Sequence, residues 1–315
     1  MNHYKRSNVQ IYFIIEMNQL PYISVIVPVF NGAKNISICI ESLLAQTYPR
    51  ERYEVVIVDN NSTDDTTSIV QKYPVKLLLE KDIQSSYAAR NRGIEGARGE
   101  IFAFTDSDVK ADSNWLKFGI EDMIQHDADY AGCRVELFSP RPKLTYCDMF
   151  ELFFAFPMKK HVEQFHFAST VGLFVKKSVI EAAGAFDIQF ISGGDVEFGT
   201  RVFDMGFRQS YSERAIVYHP TQSSLRQIIK RAIRYGRGEA RLSSLFPERF
   251  GGVYSKITRL FLSRSPRPEI VDDRRDRIKL TASQRIIIYL IQYIDWFFHY
   301  GSMILYPLCK KDKLS

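Results

Sequence analysis

The sequence predicts an α/β fold: a Rossmann-like, mostly parallel sheet with helices on both faces, followed by an amphipathic C-terminal helix. Three observations carry that reading. Ile23–Val29 is a near-continuous apolar run, as suits a strand buried on both faces. Short apolar runs recur at Glu54–Val58, Val75–Leu79 and Ile101–Thr105, each separated from the next by a helix-like segment. The ends of the first, second and fourth runs carry Pro28-Val29-Phe30-Asn31, Asp59-Asn60-Asn61 and Asp106-Ser107-Asp108. In a parallel sheet such ends share one edge, and ligands bind beyond it.

The elements follow in order. Asn31-Gly32 breaks the first strand, and Asn35 caps a helix running to Gln46 with Ile36, Ile40, Leu43 and Leu44 on one face. Ser62-Thr63-Asp64-Asp65 opens a second helix toward Tyr73. Tyr87–Ala97 reads as a helix ended near Gly99, and Asn114–His126 as another. In the second half, Tyr130–Leu137 and Thr170–Lys176 read as strands, and Asp195–Met205 as a helix preceded by Ser192-Gly193-Gly194. Ile216–Tyr218 is a short strand leading to His219-Pro220, and Ser224–Leu245 a long basic helix. The resulting organisation is an N-terminal extension over 1–20, a principal domain over 21–250, a linker over 251–283 and an apolar helix over 284–308.

With 45% hydrophobic and 25% charged residues among 315, the chain has the composition of a globular protein and not of a disordered one. The net charge of +6 is concentrated late, from Arg226 to Lys279, where it suits an anionic surface or a solvated helix face. No nucleic-acid module accompanies it. Cys39, Cys133, Cys147 and Cys309 show no paired spacing, which argues against a zinc site or a disulfide framework and for reduced thiols in the cytosol. Ile11–Ile15 is too short for the core of a signal peptide.

Asp106-Ser107-Asp108 follows a buried strand, and two carboxylates one residue apart there can share a hard divalent cation with phosphate oxygens. Such a triplet alone is as readily a turn. Asp59, also at a strand end, can bond a base or ribose hydroxyl or simply close an Asx turn. Arg90 precedes the triplet and can meet phosphate. The first strand lacks the glycine fingerprint of a dinucleotide site, which excludes a dinucleotide oxidoreductase.

Ser24-Val25-Ile26-Val27-Pro28-Val29-Phe30-Asn31, Glu54 to Asp64, Ala89-Arg90-Asn91-Arg92-Gly93-Ile94, Arg98-Gly99-Glu100 and Phe104-Thr105-Asp106-Ser107-Asp108 resemble, in order and spacing, the inverting glycosyltransferases of family 2, which have the GT-A fold. The resemblance runs from about Tyr22 to about Leu242. It implies a hexosyltransferase-type enzyme using a nucleotide-diphosphate sugar, with UDP favoured. Pro28, Val29, Asn31 and Asp59 would line the nucleoside pocket, Arg90 and Asp106 would hold the nucleotide, and Asp108 would meet Mg or Mn. Asp195 would be the general base, with Glu197 as fallback, and His219 a further metal ligand. Arg231-Ala232-Ile233-Arg234-Tyr235 resembles the Gln/Arg-x-x-Arg-Trp motif of the family's synthases, so that Arg231, Arg234 and Arg237 would clamp diphosphate or acceptor. The chain departs from the pattern at Gly32 and at Gly194, where glutamates are usual, and the latter leaves a catalytically decayed nucleotide-sugar-binding scaffold as the alternative.

Arg285–Leu308 is the most hydrophobic stretch, yet Arg285, Gln292, Asp295, His299 and Ser302 form a polar stripe at helical spacing. An interfacial membrane helix fits this better than a span. A helix packed on the catalytic domain or on a second copy stays open. The expected partners are a nucleotide sugar, a glycan or glycolipid hydroxyl in cell-surface assembly and, peripherally, the inner face of the cell membrane.

Overall fold

The computed structural model describes residues 20–250 and 280–310. The extension before Leu20 and all but the last residues of the expected linker lie outside them, as does the basic segment from Lys256 to Lys279.

An eight-stranded sheet forms the frame, in the order β3-β2-β1-β4-β7-β6-β8-β5. Its first part is parallel: β1 (Ile23–Val29) lies between β2 (Tyr53–Asp59) and β4 (Ile101–Phe104), and β3 (Lys76–Leu79) flanks β2. Every residue of β1 is buried, so it is the centre of the core. The chain builds outward from β1 to β3 and then returns to place β4 on the other side of β1. That reversal is the switch point at which crossing helices diverge and leave a crevice. The helices of this half are α1 (Ile36–Leu44), α2 (Thr66–Val70), α3 (Ser86–Gly96) and α4 (Trp115–Gln125).

Beyond β4 the sheet is mixed. β7 (Leu173–Lys176) runs antiparallel to β4 and to β6 (Tyr130–Phe138), while β6 and β8 (Gln209–Pro220) are parallel. The expected strand over Thr170–Lys176 divides into a 3₁₀ turn, Thr170–Gly172, and β7. β8 is far longer than the expected Ile216–Tyr218 because a bulge interrupts it: Cys133 pairs with Ser212 and Arg134 with Ile216. Within the bulge Arg214 turns to Asp122 and Glu121 of α4, so the charges that mask the strand's pattern belong to a local ion-pair cluster. The two-residue β5 (Lys110–Ala111) pairs with the far end of β8.

The second-half helices are α5 (Tyr146–Phe154), α6 (Met158–Phe165), α7 (Lys177–Ala183), α8 (Gly194–Asp204), α9 (Leu225–Leu245) and α10 (Pro247–Phe250). Thr145 and Asp148 form a capping box at α5, and Asp148 also accepts from Thr221 and Ser223, tying α5 to the end of β8.

The C-terminal helix, α11 (Ala282–Lys310), lies along α9. Ile288 and Ile291 join Ile228, Phe150 and Phe153 in a buried cluster, and Met303 packs on Ala240. At Gly236 a Cβ would lie 2.0 Å from the carbonyl oxygen of His299, so only glycine lets the two helices approach so closely. The polar stripe faces α9: Asp295 Oδ1 lies 3.6 Å from Arg231 Nη2, His299 Nε2 lies 3.1 Å from Glu239, and Ser302 donates to the Ile233 carbonyl at 3.1 Å. Ile286, Leu290, Tyr293, Phe297, Ile304 and Leu305 are left exposed. The helix thus turns Asp295, His299 and Ser302, together with Ile288, Ile291 and Met303, toward the protein and leaves a second apolar strip outside. Among the described residues no helix is long and apolar enough to cross a membrane.

Candidate functional site

The crevice at the switch point collects the strand-end residues. Asp59, at the end of β2, is 3% exposed, and its Oδ2 accepts from the backbone N–H of Ser62 at 3.0 Å. Its Oδ1 is buried and, among the described residues, has no hydrogen-bond partner. A buried acceptor left unpaired costs about 1–3 kcal/mol, a cost that a donor from outside the fold would relieve. Pro28 and Val29 are buried in β1 beside Val58 and Asp59. Asn31, at φ +50°, turns the chain out of β1, and its side chain accepts from the Thr63 N–H at 2.8 Å while its own N–H donates to Ser62 Oγ at 2.8 Å. It therefore braces the β1 and β2 loops around Asp59.

Arg90 rises from α3 almost fully buried and donates from Nη2 to Asp106 Oδ1 at 2.6 Å. Among the described residues its Nε has no partner, so the guanidinium retains a donor beyond the carboxylate it holds. Asn91, next on the helix, exchanges two hydrogen bonds with the backbone of Phe186, and Arg92 turns outward to Glu95. Of that motif only Arg90 enters the crevice.

β5 pairs Lys110 with Tyr218, and this brings the turn after β4 against the end of β8. Asp108 Oδ1 there lies 3.8 Å from His219 Nε2. His219 Nδ1 is 2.7 Å from the carbonyl of Pro220. A carbonyl only accepts, so Nδ1 carries a proton and Nε2 is the nitrogen turned toward Asp108. A carboxylate oxygen and an imidazole nitrogen so opposed can share a cation or a proton. Burial also raises the Asp108 carboxyl above its ordinary value, and His219 opposes the rise. The pair therefore fits a divalent cation, supplying one oxygen and one nitrogen ligand. Asp106 and Asp108 divide their work accordingly: the first holds Arg90, the second faces His219. Among the described residues no group of three or more His, Cys, Asp or Glu could hold a metal, so further ligands would come from substrate and water.

Asp195 occupies the first turn of α8. Gly193 before it has φ +87°, a left-handed conformation that glycine adopts without strain. Tyr87 Oη accepts from the Asp195 N–H and donates to Asp195 Oδ1, both at 3.3 Å. Burial raises the Asp195 carboxyl above its ordinary value, while the Arg90 charge pulls it back. Glu197, one helical step further, binds Arg201 with both oxygens, at 2.7 and 2.9 Å, and Arg201 holds the carbonyls of Ala183, Gly184 and Ala185. Glu197 is thus engaged in bracing α7 against α8, which leaves Asp195 as the carboxylate available to the crevice. Tyr87 was invisible as a site residue in the sequence. Its signal is its position, three residues before Arg90 on one helix face.

The basic motif divides. Arg231 is mostly buried, paired with Glu151 of α5 and Asp295 of α11, and so anchors α11. Arg234, Tyr235 and Arg237 are exposed, with the Arg234 guanidinium 5.3 Å from the Tyr235 ring centre.

A family model described as "Glycosyl transferase family 2" matches residues 24–182. The glycosyltransferase AglE of Haloferax volcanii is 34% identical over 254 residues, 79% of this chain and 83% of that protein. A Methanococcus voltae protein named as a dolichyl N-acetyl-alpha-D-glucosaminyl phosphate 3-beta-D-2,3-diacetamido-2,3-dideoxy-beta-D-glucuronosyltransferase is 27% identical, over 68% of this chain and 72% of its own. Among solved structures, a mannosyltransferase from Pyrobaculum calidifontis in complex with GDP-Man and Mn2+ superposes with a TM-score of 0.58 at 17% identity, covering 99% of this chain and 83% of that one. S. aureus TarS 1–349 with UDP-GlcNAc gives 0.54 at 19% identity, over 91% and 92%. These likenesses extend the GT-A architecture to this sheet.

Proposed function

Because the chain belongs to glycosyl transferase family 2, we propose that this glycosyltransferase moves a sugar from a nucleotide-diphosphate donor to an acceptor hydroxyl with inversion, in the assembly of a cell-surface polysaccharide or glycolipid. The observation that carries the reading is the unpartnered buried oxygen of Asp59, on the same sheet edge as the Arg90–Asp106 pair and the opposed Asp108 and His219. With Oδ2 occupied by Ser62, one carboxylate oxygen remains for the base, which matches the single edge N–H of uracil better than the paired donors of guanine. A UDP-sugar is therefore favoured. The solved neighbours bind GDP-Man in one case and UDP-GlcNAc in another.

Bound at Asp108 and His219, Mg or Mn would neutralise charge on the departing diphosphate. The chain's own residues do the rest. Asp59 orients the nucleoside, and Arg90 holds Asp106 in place and turns its free donor toward the phosphates. Asp195 accepts the acceptor's proton at a carboxylate oxygen as the hydroxyl oxygen attacks the anomeric carbon and the bond to diphosphate breaks. Arg234 and Arg237 are the exposed arginines of the basic motif and stand ready for diphosphate or acceptor. A donor panel tests this: UDP-sugars with Mn or Mg are expected to raise the melting temperature and yield product, and Asp59→Ala to lose the shift. An Asp59→Ala enzyme stabilised as well as the parent would remove Asp59 from the donor pocket.

The outward apolar face of α11 supports peripheral contact with the inner face of the membrane, where a lipid-carried acceptor is presented. Ile286, Leu290 and Phe297 are 62%, 55% and 58% exposed. Full burial of such a side chain is worth about 1.5–3 kcal/mol, so covering the exposed halves of the three would contribute about 3 kcal/mol, roughly a hundredfold in binding. Exposed Arg226, Lys230, Arg234 and Arg237 recur along α9, a row suited to acidic headgroups. The triple variant Ile286→Gln, Leu290→Gln, Phe297→Gln is expected to lose co-sedimentation with vesicles containing phosphatidylglycerol while keeping transfer to a soluble acceptor. Undiminished sedimentation would assign the face to protein instead.

A further inference from the structure

The structure assigns Tyr87 a positioning role: its hydroxyl fixes the carboxylate of Asp195, and glycine at position 194 is the space that admits its ring. The inference rests on Asp195 as the base.

A Cβ placed on Gly194 would meet Tyr87 at 2.8 Å from Cζ and 2.9 and 3.1 Å from the two Cε atoms. Real side chains do not approach so closely, so the aromatic ring occupies the volume that any other residue at 194 would need. The departure from the family pattern at this position thus has a physical counterpart on α3, far away in the chain. A bulky acid is absent, and a phenol from α3 fills the place.

The ring is held from several sides. Tyr87 is 5% exposed, its ring centre lies 5.7 Å from that of Phe186, and the Arg90 guanidinium stands 5.7 Å from the same ring. Burial pushes the phenol well above its ordinary range, so the hydroxyl keeps its proton and stays a donor. It accepts the Asp195 N–H and donates to Asp195 Oδ1. Oδ1 also takes a bond from the Val196 N–H at 3.1 Å. Oδ1 is thereby engaged on two sides, and Oδ2 is left as the oxygen that receives a proton.

One turn of α3 therefore serves both halves of the site. Arg90 holds Asp106 on the donor side, and Tyr87, on the same helix face, holds Asp195 on the acceptor side. Proton transfer depends on heavy-atom placement within hydrogen-bond reach, so a loosened carboxylate lowers turnover without altering how the nucleotide binds.

The test is a cycle of Tyr87→Phe, Asp195→Asn and the double variant, each measured for kcat, donor KM and melting temperature. Tyr87→Phe keeps the ring in its slot. Expected is a fall in kcat of about threefold to tenfold, the worth of one modest hydrogen bond, with donor KM unchanged. In the Asp195→Asn background the same substitution is expected to add nothing, because Tyr87 acts through the group already removed. Gly194→Ala, which pushes the ring away, should reproduce the kcat loss. Wild-type kcat in Tyr87→Phe with Asp195→Asn inactive overturns the role of Tyr87 alone. So does a full additional loss in the double variant, or a loss matched by a rise in donor KM. Transfer persisting in Asp195→Asn overturns the assignment of the base, and this role with it.

Discussion

Asp108→Ala is expected to lower the transfer rate by about a hundredfold or more at saturating donor, and to abolish its dependence on Mn or Mg. The size follows from what the residue faces. Its carboxylate and His219 Nε2 are opposed at 3.8 Å, an arrangement in which a cation or a proton is shared between oxygen and nitrogen. With one removed, the remaining imidazole is a single nitrogen ligand, too little to hold a hard cation that prefers oxygen. Folding should not suffer. Burial already disfavours the charged form of Asp108, so its removal relieves a penalty and leaves the melting temperature unchanged or slightly raised. Loss of activity with full stability is therefore the signature. It is read by transfer assays across a metal titration beside a thermal melt. Wild-type metal dependence in Asp108→Ala would move the cation elsewhere.

How far the sequence foretold this site depended on which contacts were local. β1 through β4 follow from apolar runs because strands buried on both faces leave a continuous signal, and Ile23–Val29 was placed to the residue. The strand-end acids followed from the same pattern. What the sequence could not state was pairing. That Asp108 meets His219 depends on the two-residue β5 registering against β8, more than a hundred residues later, and two residues carry no periodicity. The first half of β8 was hidden because its charges, Glu213 and Arg214, sit in a bulge and satisfy an ion-pair cluster instead of an alternating pattern. Arg231 illustrates the opposite case: its motif was legible, but its ion pairs with Glu151 and Asp295 come from two other helices, and they turn it from the crevice to the α9–α11 interface. The polar stripe of α11 was read correctly as a stripe. Only the fold shows that Asp295, His299 and Ser302 face α9, and that a strip including Ile286, Leu290 and Phe297 is left outside.

Asp195→Asn is expected to reduce transfer by about a hundredfold to ten-thousandfold, the usual weight of a general base, while leaving nucleotide-sugar binding intact. The substitution changes little else. Asparagine has the same shape, and its amide oxygen can still accept from Tyr87 Oη and from the Val196 N–H. Lost is only the capacity to take a proton. Two influences set that capacity in the native chain. Burial raises the carboxyl above its ordinary value, strengthening it as a base, and Arg90 tempers the rise so that the group stays ionised more readily. Glu197→Gln provides the contrast. Its carboxylate binds Arg201 with both oxygens, and Arg201 in turn holds three carbonyls between α7 and α8, so that change should lower the melting temperature and spare the chemistry in the folded fraction. Measured together by single-turnover transfer, equilibrium donor binding and thermal melts, the two variants separate a proton acceptor from a structural acid one helical step away. The reverse pattern, with Asp195→Asn active and Glu197→Gln inert but stable, would exchange their roles. The geometry argues against it: the Glu197 carboxylate is buried and held at both oxygens by the Arg201 guanidinium, which leaves it little open to an acceptor hydroxyl.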